Sequence, residues 1–191
     1  MFVKLAERIT QQLENDNVIN SEKRELYKYG FQQGFILALN FLTSITIGII
    51  FGMFFESILL LAAYMPLRSY AGGHHSDSSE KCYIVSSLIM VIWICLLKFE
   101  ILPISCCVIM LLISVCVCFI LAPVESKNKP FDEREQDVYR KKSLVILAVE
   151  ICLWLFMSVI LCKYVAIIPI VMITEAVMLI LGKAKNNSQD G

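Results

Sequence analysis

Apolar residues in this chain gather into long charge-free runs, and the polar positions between them are few and short. The first run extends from Tyr29 to Phe55. A second, Ser57 to Leu67, follows the lone Glu56 and is short for a crossing unless it extends toward Tyr70. Cys82 to Leu97 and Ile101 to Val124 come next, divided by the polar turn Lys98-Phe99-Glu100, and Ala122-Pro123 supplies a helix stop. Beyond a polar stretch from Glu125 to Lys142 lie Ser143 to Cys162 and Tyr164 to Gly182, split by Lys163. A membrane-crossing helix takes about 20 predominantly apolar residues, so these runs predict six spans. Ahead of them, within residues 1–20, Phe2, Leu5, Ala6, Ile9 and Leu13 recur at helical spacing opposite Lys4, Glu7, Arg8, Gln11 and Gln12. Such an amphipathic helix either lies on the membrane surface or packs on the ends of the bundle.

Composition agrees with the pattern: 58% of the 191 residues are hydrophobic, against about 45–50% in ordinary soluble domains. The 17 basic and 17 acidic side chains cancel, which removes the basic surplus a nucleic-acid partner would need. Their placement is more informative than their sum. Six spans put both termini, the loop 68–81 and the loop 123–142 on one side, and fifteen of the basic residues fall there, with only Lys98 and Lys163 opposite. Since Lys and Arg are enriched in cytoplasmic loops, the expectation is an all-α integral membrane protein. It has six transmembrane helices plus an N-terminal amphipathic helix, both termini cytoplasmic, in one polytopic domain, 1–191, with a flexible tail at 183–191. The N-terminus shows no signal peptide, being charged and amphipathic where a leader has a short apolar core and cleavage site.

Six of the eight cysteines, Cys95, Cys106, Cys107, Cys116, Cys118 and Cys152, lie inside apolar runs and read as small buried hydrophobes, not as a disulfide framework. Cys82 differs. It closes a loop, Arg68 to Cys82, that holds both histidines, His74 and His75. An imidazole accepts a proton near neutral pH and an ionised thiol is a nucleophile. On one continuous helix His75 and Cys82 would be separated by about 10 Å of rise. Gly72-Gly73 breaks the helix as a flexible hinge, and Ser76-Asp77-Ser78-Ser79 is rich in N-cap residues, with Asp77 and Glu80 at capping-box spacing. That start puts Cys82 in the first turn of the third span, where free N–H groups, the helix dipole, Arg68 and Lys81 all favour an anion. His75 is the candidate base, His74 a less favoured one, and Asp77 a candidate orienting group. The bland alternative, an apolar cysteine at a span boundary beside a satisfied loop histidine, stays open on spacing alone. Two adjacent histidines and one cysteine supply few metal ligands, and no metal or other cofactor is expected.

The motif Arg68-x-Tyr-Ala-Gly-Gly-x-His75, with Cys82 seven positions on at the head of an apolar span, resembles the signature of the AgrB family, accessory gene regulator B. Length, amphipathic N-terminal helix, order of spans and the basic stretch before the fifth span are similar as well. The resemblance implies a membrane cysteine endopeptidase that processes an AgrD-like propeptide in bacterial quorum sensing. Cys82 would be the nucleophile and His75 its partner, Arg68 and Gly73 would support the loop, and Arg140-Lys141-Lys142 would help handle the propeptide. A thioester on Cys82, displaced by a Cys or Ser of the propeptide, would close a thiolactone or lactone ring. The other expected partners are membrane lipid and a second copy of the chain. His74 stands where the family varies, which leaves the choice of base open.

Two carboxylates lie within spans. For Glu150 the simpler reading is a neutral, hydrogen-bonded acid, and for Glu175 either such an acid or a substrate contact serves. Arg140-Lys141-Lys142 is also explained as an anchor against anionic lipid. Asp132, Glu133, Glu135 and Asp137, alternating with Arg134 and Arg140, read as a solvated surface helix. The rival class is a small non-enzymatic transporter or exporter, with Glu150 and Glu175 lining its path.

Overall fold

The computed structural model describes residues 2–16, 18–73, 79–125 and 132–189, and the regular structure among them is helical. Seven α-helices follow in chain order: α1 Phe2–Asn15, α2 Arg24–Phe51, α3 Phe54–Ala71, α4 Ser79–Lys98, α5 Ile104–Leu121, α6 Glu133–Ile160 and α7 Ile167–Gln189. Helix boundaries follow local chemistry. Gly52, at φ 70°, caps α2 by returning its N–H to the carbonyls of Gly48 and Ile49, a left-handed conformation that glycine adopts without Cβ strain. At α6 the side chain of Asp132 accepts the Glu135 N–H at 2.6 Å. The charged stretch 132–142 is therefore the solvated opening of α6, with Asp132, Arg134 and Asp137 exposed, continuous with the apolar run that follows.

Side-chain contacts sort the helix ends into two groups. Lys98 Nζ donates to the Phe51 carbonyl at 2.9 Å, and Lys163 Nζ stands 3.0 Å from Glu56, so the α2–α3, α4–α5 and α6–α7 connections share one end. At the other end Gly73 N–H donates to the Val124 carbonyl and Val124 N–H to the Ala71 carbonyl, while Asn186 Nδ2 donates to the Glu125 carbonyl. The two lone basic residues thus close one end, and the remaining polar connections gather at the other.

Five helices, α2, α4, α5, α6 and α7, have the length and apolarity to cross a membrane. α3 is not among them, since it carries Glu56, Pro66 and Arg68 within 18 residues, yet it packs between α2, α6 and α7. α7 is the central pillar: 56% of its apolar stretch is buried inside the bundle, against 17–22% for the other four. Around it Leu67, Leu111, Met172 and Leu179 form one core cluster, and Leu60, Met90, Ile94 and Val171 another. The remaining helices turn large apolar side chains outward, among them Leu42, Ile50, Phe55, Ile120 and Val159, a surface that only lipid or another apolar body solvates comfortably.

α1 packs against α2. Ala6 and Thr10 are fully buried, and Glu7–Lys28 at 3.3 Å with Glu14–Arg24 at 3.5 Å fix the helix. Val3 and Leu5 remain exposed, so the buried stripe is rotated from the one the apolar spacing picks out. Within the tail expected to be flexible, α7 runs to Gln189 and Asn186 Nδ2 donates to the Glu125 carbonyl. All eight cysteines are free, but Cys107 and Cys118 alone are buried, while Cys106, Cys116 and Cys152 face outward from their helices.

One glycine tests the α2–α3 packing. A Cβ at Gly48 would overlap Ser57 Oγ and Cβ, whereas one at Gly30 meets nothing within 4 Å. Gly48→Leu should cost about 1–3 kcal/mol as an overpacked contact, and Gly30→Ala should be neutral or gain up to about 1 kcal/mol in helix propensity. Thermal unfolding of the detergent-solubilised protein checks both. Equal effects at the two positions would refute the close approach.

Candidate functional site

Cys82 is the fourth residue of α4 and half-buried, so it lies in the helix's first turn, as the loop's N-cap residues imply. Two contacts fix α4. Tyr83 Oη and Thr43 Oγ1 are 2.9 Å apart, tying its first turn to α2. Further along, Trp93 Nε1 donates to Thr174 Oγ1 of α7 at 3.0 Å, and the Tyr64 ring stands edge-on to the indole with centroids 5.1 Å apart.

Cys82 lines a half-open cavity of about 290 Å³ between α2, α3 and α4, with Met178 contributed by α7. From α2 come Gln33, Ile36, Asn40 and Ser44, spaced to share one helical face; from α3, Leu61, Tyr64 and Arg68; from α4, Cys82, Ser86, Ile89 and Trp93. Sequence reasoning missed the α2 face entirely. The signal was present as polar residues at seven- and four-residue spacing, Gln33, Asn40 and Ser44, inside an otherwise apolar run.

Arg68 also lines the cavity and makes two contacts beyond it. Its Nη1 donates to the Gly72 carbonyl and stands 3.6 Å from Glu175 Oε1. Glu175 is fully buried on α7. The glycine pair is consequently a pinned turn, which corrects its reading as a flexible hinge. Gly72 and Gly73 have φ of 77° and 106°, values that L side chains rarely adopt. A Cβ on Gly72 would run into the Val124 carbonyl, and one on Gly73 would come within 2.5 Å of Arg68 Nη1 and 3.0 Å of the Met178 backbone. Arg68 and Gly73 are thus brought together with Glu175, beside the cavity that Cys82 lines.

The other predicted site residues separate. His74, His75 and Asp77 lie outside the described residues. Arg140 donates to the carbonyls of Phe119, at 2.8 Å, and Ala122, capping the last turn of α5 as a cation suits a helix C-terminus. Lys142 Nζ sits 4.8 Å from the centroid of the Tyr70 ring, and Lys141 is exposed. Glu150 is buried, and neither of its carboxylate oxygens has a hydrogen-bond partner among the described residues, which leaves a helix contact as the simpler reading of it. Neither Glu150 nor Glu175 lines the cavity.

Fold and site together define a multi-pass helical protein of membrane character, with a thiol at the head of one helix on the wall of a half-open, largely apolar cavity. The profile of the family AgrB, accessory gene regulator B, matches residues 6–180, and the chain belongs to that family. It is 28% identical over 154 residues to AgrB-like protein 2 of Clostridium perfringens (strain 13 / Type A), covering 76% of this chain and 70% of that one. To accessory gene regulator protein B of Staphylococcus epidermidis it is 29% identical over 147 residues, covering 75% and 73%. No solved structure matches it significantly.

The Arg68–Glu175 contact yields an asymmetric prediction. Arg68→Met leaves a buried carboxylate without its counter-charge, and breaking a buried pair in that way costs about 3–5 kcal/mol. Glu175→Gln should cost less, and Arg68→Met combined with Glu175→Leu should recover part of the loss. The three midpoints in thermal unfolding decide it; a single Arg68→Met variant as stable as the parent would show that the contact does not hold the turn.

Proposed function

We propose that this protein is a membrane-embedded cysteine endopeptidase that processes a quorum-sensing propeptide, with Cys82 as nucleophile and His75 as its proton acceptor. The observation that carries the reading is the position of Cys82, in the first turn of α4 and on the wall of a half-open cavity that Arg68 also lines. Family membership supports a role in quorum-sensing peptide processing, and the role of His75, two residues after the pinned Gly72-Gly73 turn, is what the motif resemblance implies.

In the proposed reaction His75 takes the Cys82 thiol proton as the sulfur attacks a peptide carbonyl. The S–C bond forms, the C–N bond breaks, and the departing amine receives the proton. N–H groups of the α4 head serve as oxyanion donors. The N-terminal part of the propeptide remains as a thioester on Cys82 until one of its own Cys or Ser side chains attacks. That step forms the ring thiolactone or lactone and returns the Cys82 thiol. Thioester exchange is nearly isoenergetic, so ring closure prevails over hydrolysis when water is excluded.

Arg68 and Gly73 act as positioning residues, and Asp77 is the proposed orienting group for the imidazole. Of the basic cluster, Arg140 is engaged with α5, which leaves exposed Lys141, with Lys142, as the direct candidates for contact with the propeptide or with anionic lipid. The proposed topology is six spans, with α3 as the second, both termini and the Cys82 end facing the cytoplasm. The grouping of helix ends and the fifteen-to-two division of basic residues support it. A second copy of the chain belongs to this reading as a partner. The exporter alternative draws no support from the cavity, because its two carboxylates lie off the wall.

Cys82→Ala and His75→Ala should each abolish cleavage of the cognate propeptide by the full-length protein in vesicles, and the wild-type protein should form a peptide adduct that neutral hydroxylamine removes. Cleavage that survives Cys82→Ala would sink the proposal. A maleimide that cannot cross membranes should reach Cys82 from the cytoplasmic side; labelling from outside would reverse the orientation.

A further inference from the structure

The cavity beside Cys82 has a chemistry that the cleavage reaction alone does not require. Among the described residues that line it, Arg68 is the only charged one, and it already faces Glu175 and the Gly72 carbonyl. The rest of the wall is apolar apart from hydroxyls and two amides. Its inner part includes Trp93, which cannot swing aside freely, because Thr174 holds its indole N–H and Tyr64 packs against its face. On the α2 side, Asn40 Oδ1 is buried and has no hydrogen-bond partner among the described residues, a condition that is costly for an acceptor unless a ligand supplies the donor.

We propose that this cavity is an acyl-side recognition pocket that takes the two apolar residues immediately N-terminal to the scissile bond, with Asn40 accepting a backbone N–H from them. The proposal rests on Cys82 being the nucleophile. A volume of about 290 Å³ corresponds to that of about ten water molecules in the liquid, which gives room for a pair of apolar side chains. The acyl side is selected by what must remain. After the C–N bond breaks, the leaving amine has to depart, while the acyl part stays joined to Cys82 until its own nucleophile attacks. A pocket with a tethered inner wall suits the half that remains. A charged side chain would lose its hydration, and among the described lining residues the one charged group, Arg68, already faces Glu175.

Dipeptidyl chloromethyl ketones test the pocket, because they place two residues on the acyl side of an attacking thiol and release chloride as the new S–C bond forms. Modification of Cys82 is followed by peptide mass mapping in the full-length protein, with outward-facing Cys152 as the internal reference. Acetyl-Leu-Leu ketone should modify Cys82 at least about tenfold faster than the Asp-Asp or Lys-Lys reagents, as expected for burial of two apolar side chains. Ser86→Phe, which fills the pocket, should remove that preference at Cys82 and leave Cys152 unaffected. Asn40→Leu should lower the rate of the Leu-Leu ketone relative to hexyl methanethiosulfonate, which has no N–H, by about tenfold. Equal rates for the three ketones, or a preference that persists in Ser86→Phe, overturns the pocket. An unchanged ratio in Asn40→Leu overturns the assignment of the N–H acceptor. None of these readouts depends on propeptide cleavage, so a failed pocket with cleavage still lost in Cys82→Ala leaves the endopeptidase reading standing.

Discussion

A carboxylate in the middle of the most enclosed helix constrains much of this bundle. Glu175 is fully buried on α7, and Arg68 of α3 is the cation that faces it, at 3.6 Å. A desolvated pair of this kind seldom adds net stability over an apolar pair of the same shape. What it does here is set position: α3 must lie against α7 at the height and rotation that bring its guanidinium to Glu175. The same guanidinium donates to the Gly72 carbonyl. One side chain therefore joins the central pillar, the bundle helix α3 that falls short of a span's apolarity, and the turn that follows it.

The clamp also explains why α3, with its charges, is tolerated among five helices apolar enough to cross a membrane. Its charges are confined near its two ends, Glu56 meeting Lys163 at one and Arg68 meeting Glu175 toward the other. Between them Leu60 and Leu67 are fully buried, so the stretch between the charges packs like any core helix. The turn beyond it is held by backbone as well, through the hydrogen bonds between 71–73 and Val124. With α4 tied to α2 and α7 through Tyr83 and Trp93, both segments that flank the histidine-bearing loop are anchored to the rest of the bundle.

What the sequence made legible was whatever solvent dictates. Charge-free runs located five helices of crossing length, and the N-cap residues before Cys82 located the head of α4. Residues whose roles depend on a partner far away in the chain were not legible. Asn40 looks like an incidental polar residue until α3 and α4 close the cavity around its face. Arg140 reads as one of three cations in a basic cluster, yet its partners are the carbonyls that end α5. Gly72-Gly73 suggests flexibility because the positive φ values and the blocked Cβ positions arise only when Val124, Arg68 and Met178 are in place. The rotation of α1 escaped for a related reason, as apolar spacing finds an apolar face but not the ion pairs to Arg24 and Lys28 that turn Ala6 and Thr10 inward.

The arrangement bears on the partition between ring closure and hydrolysis in the proposed reaction. A thioester gains little free energy by exchanging with another thiol, so the competing nucleophiles are separated by access and not by driving force. Ordered water in a protein needs several polar partners, and the strongest polar group on the cavity wall, Arg68, is already committed to Glu175 and Gly72. The pair on α7 thus affects the chemistry indirectly. By drawing the guanidinium toward Glu175 and Gly72 it leaves amides and hydroxyls such as Asn40 as the polar groups beside Cys82, and a nucleophile tethered to the acyl chain gains the advantage there once the bound peptide covers them.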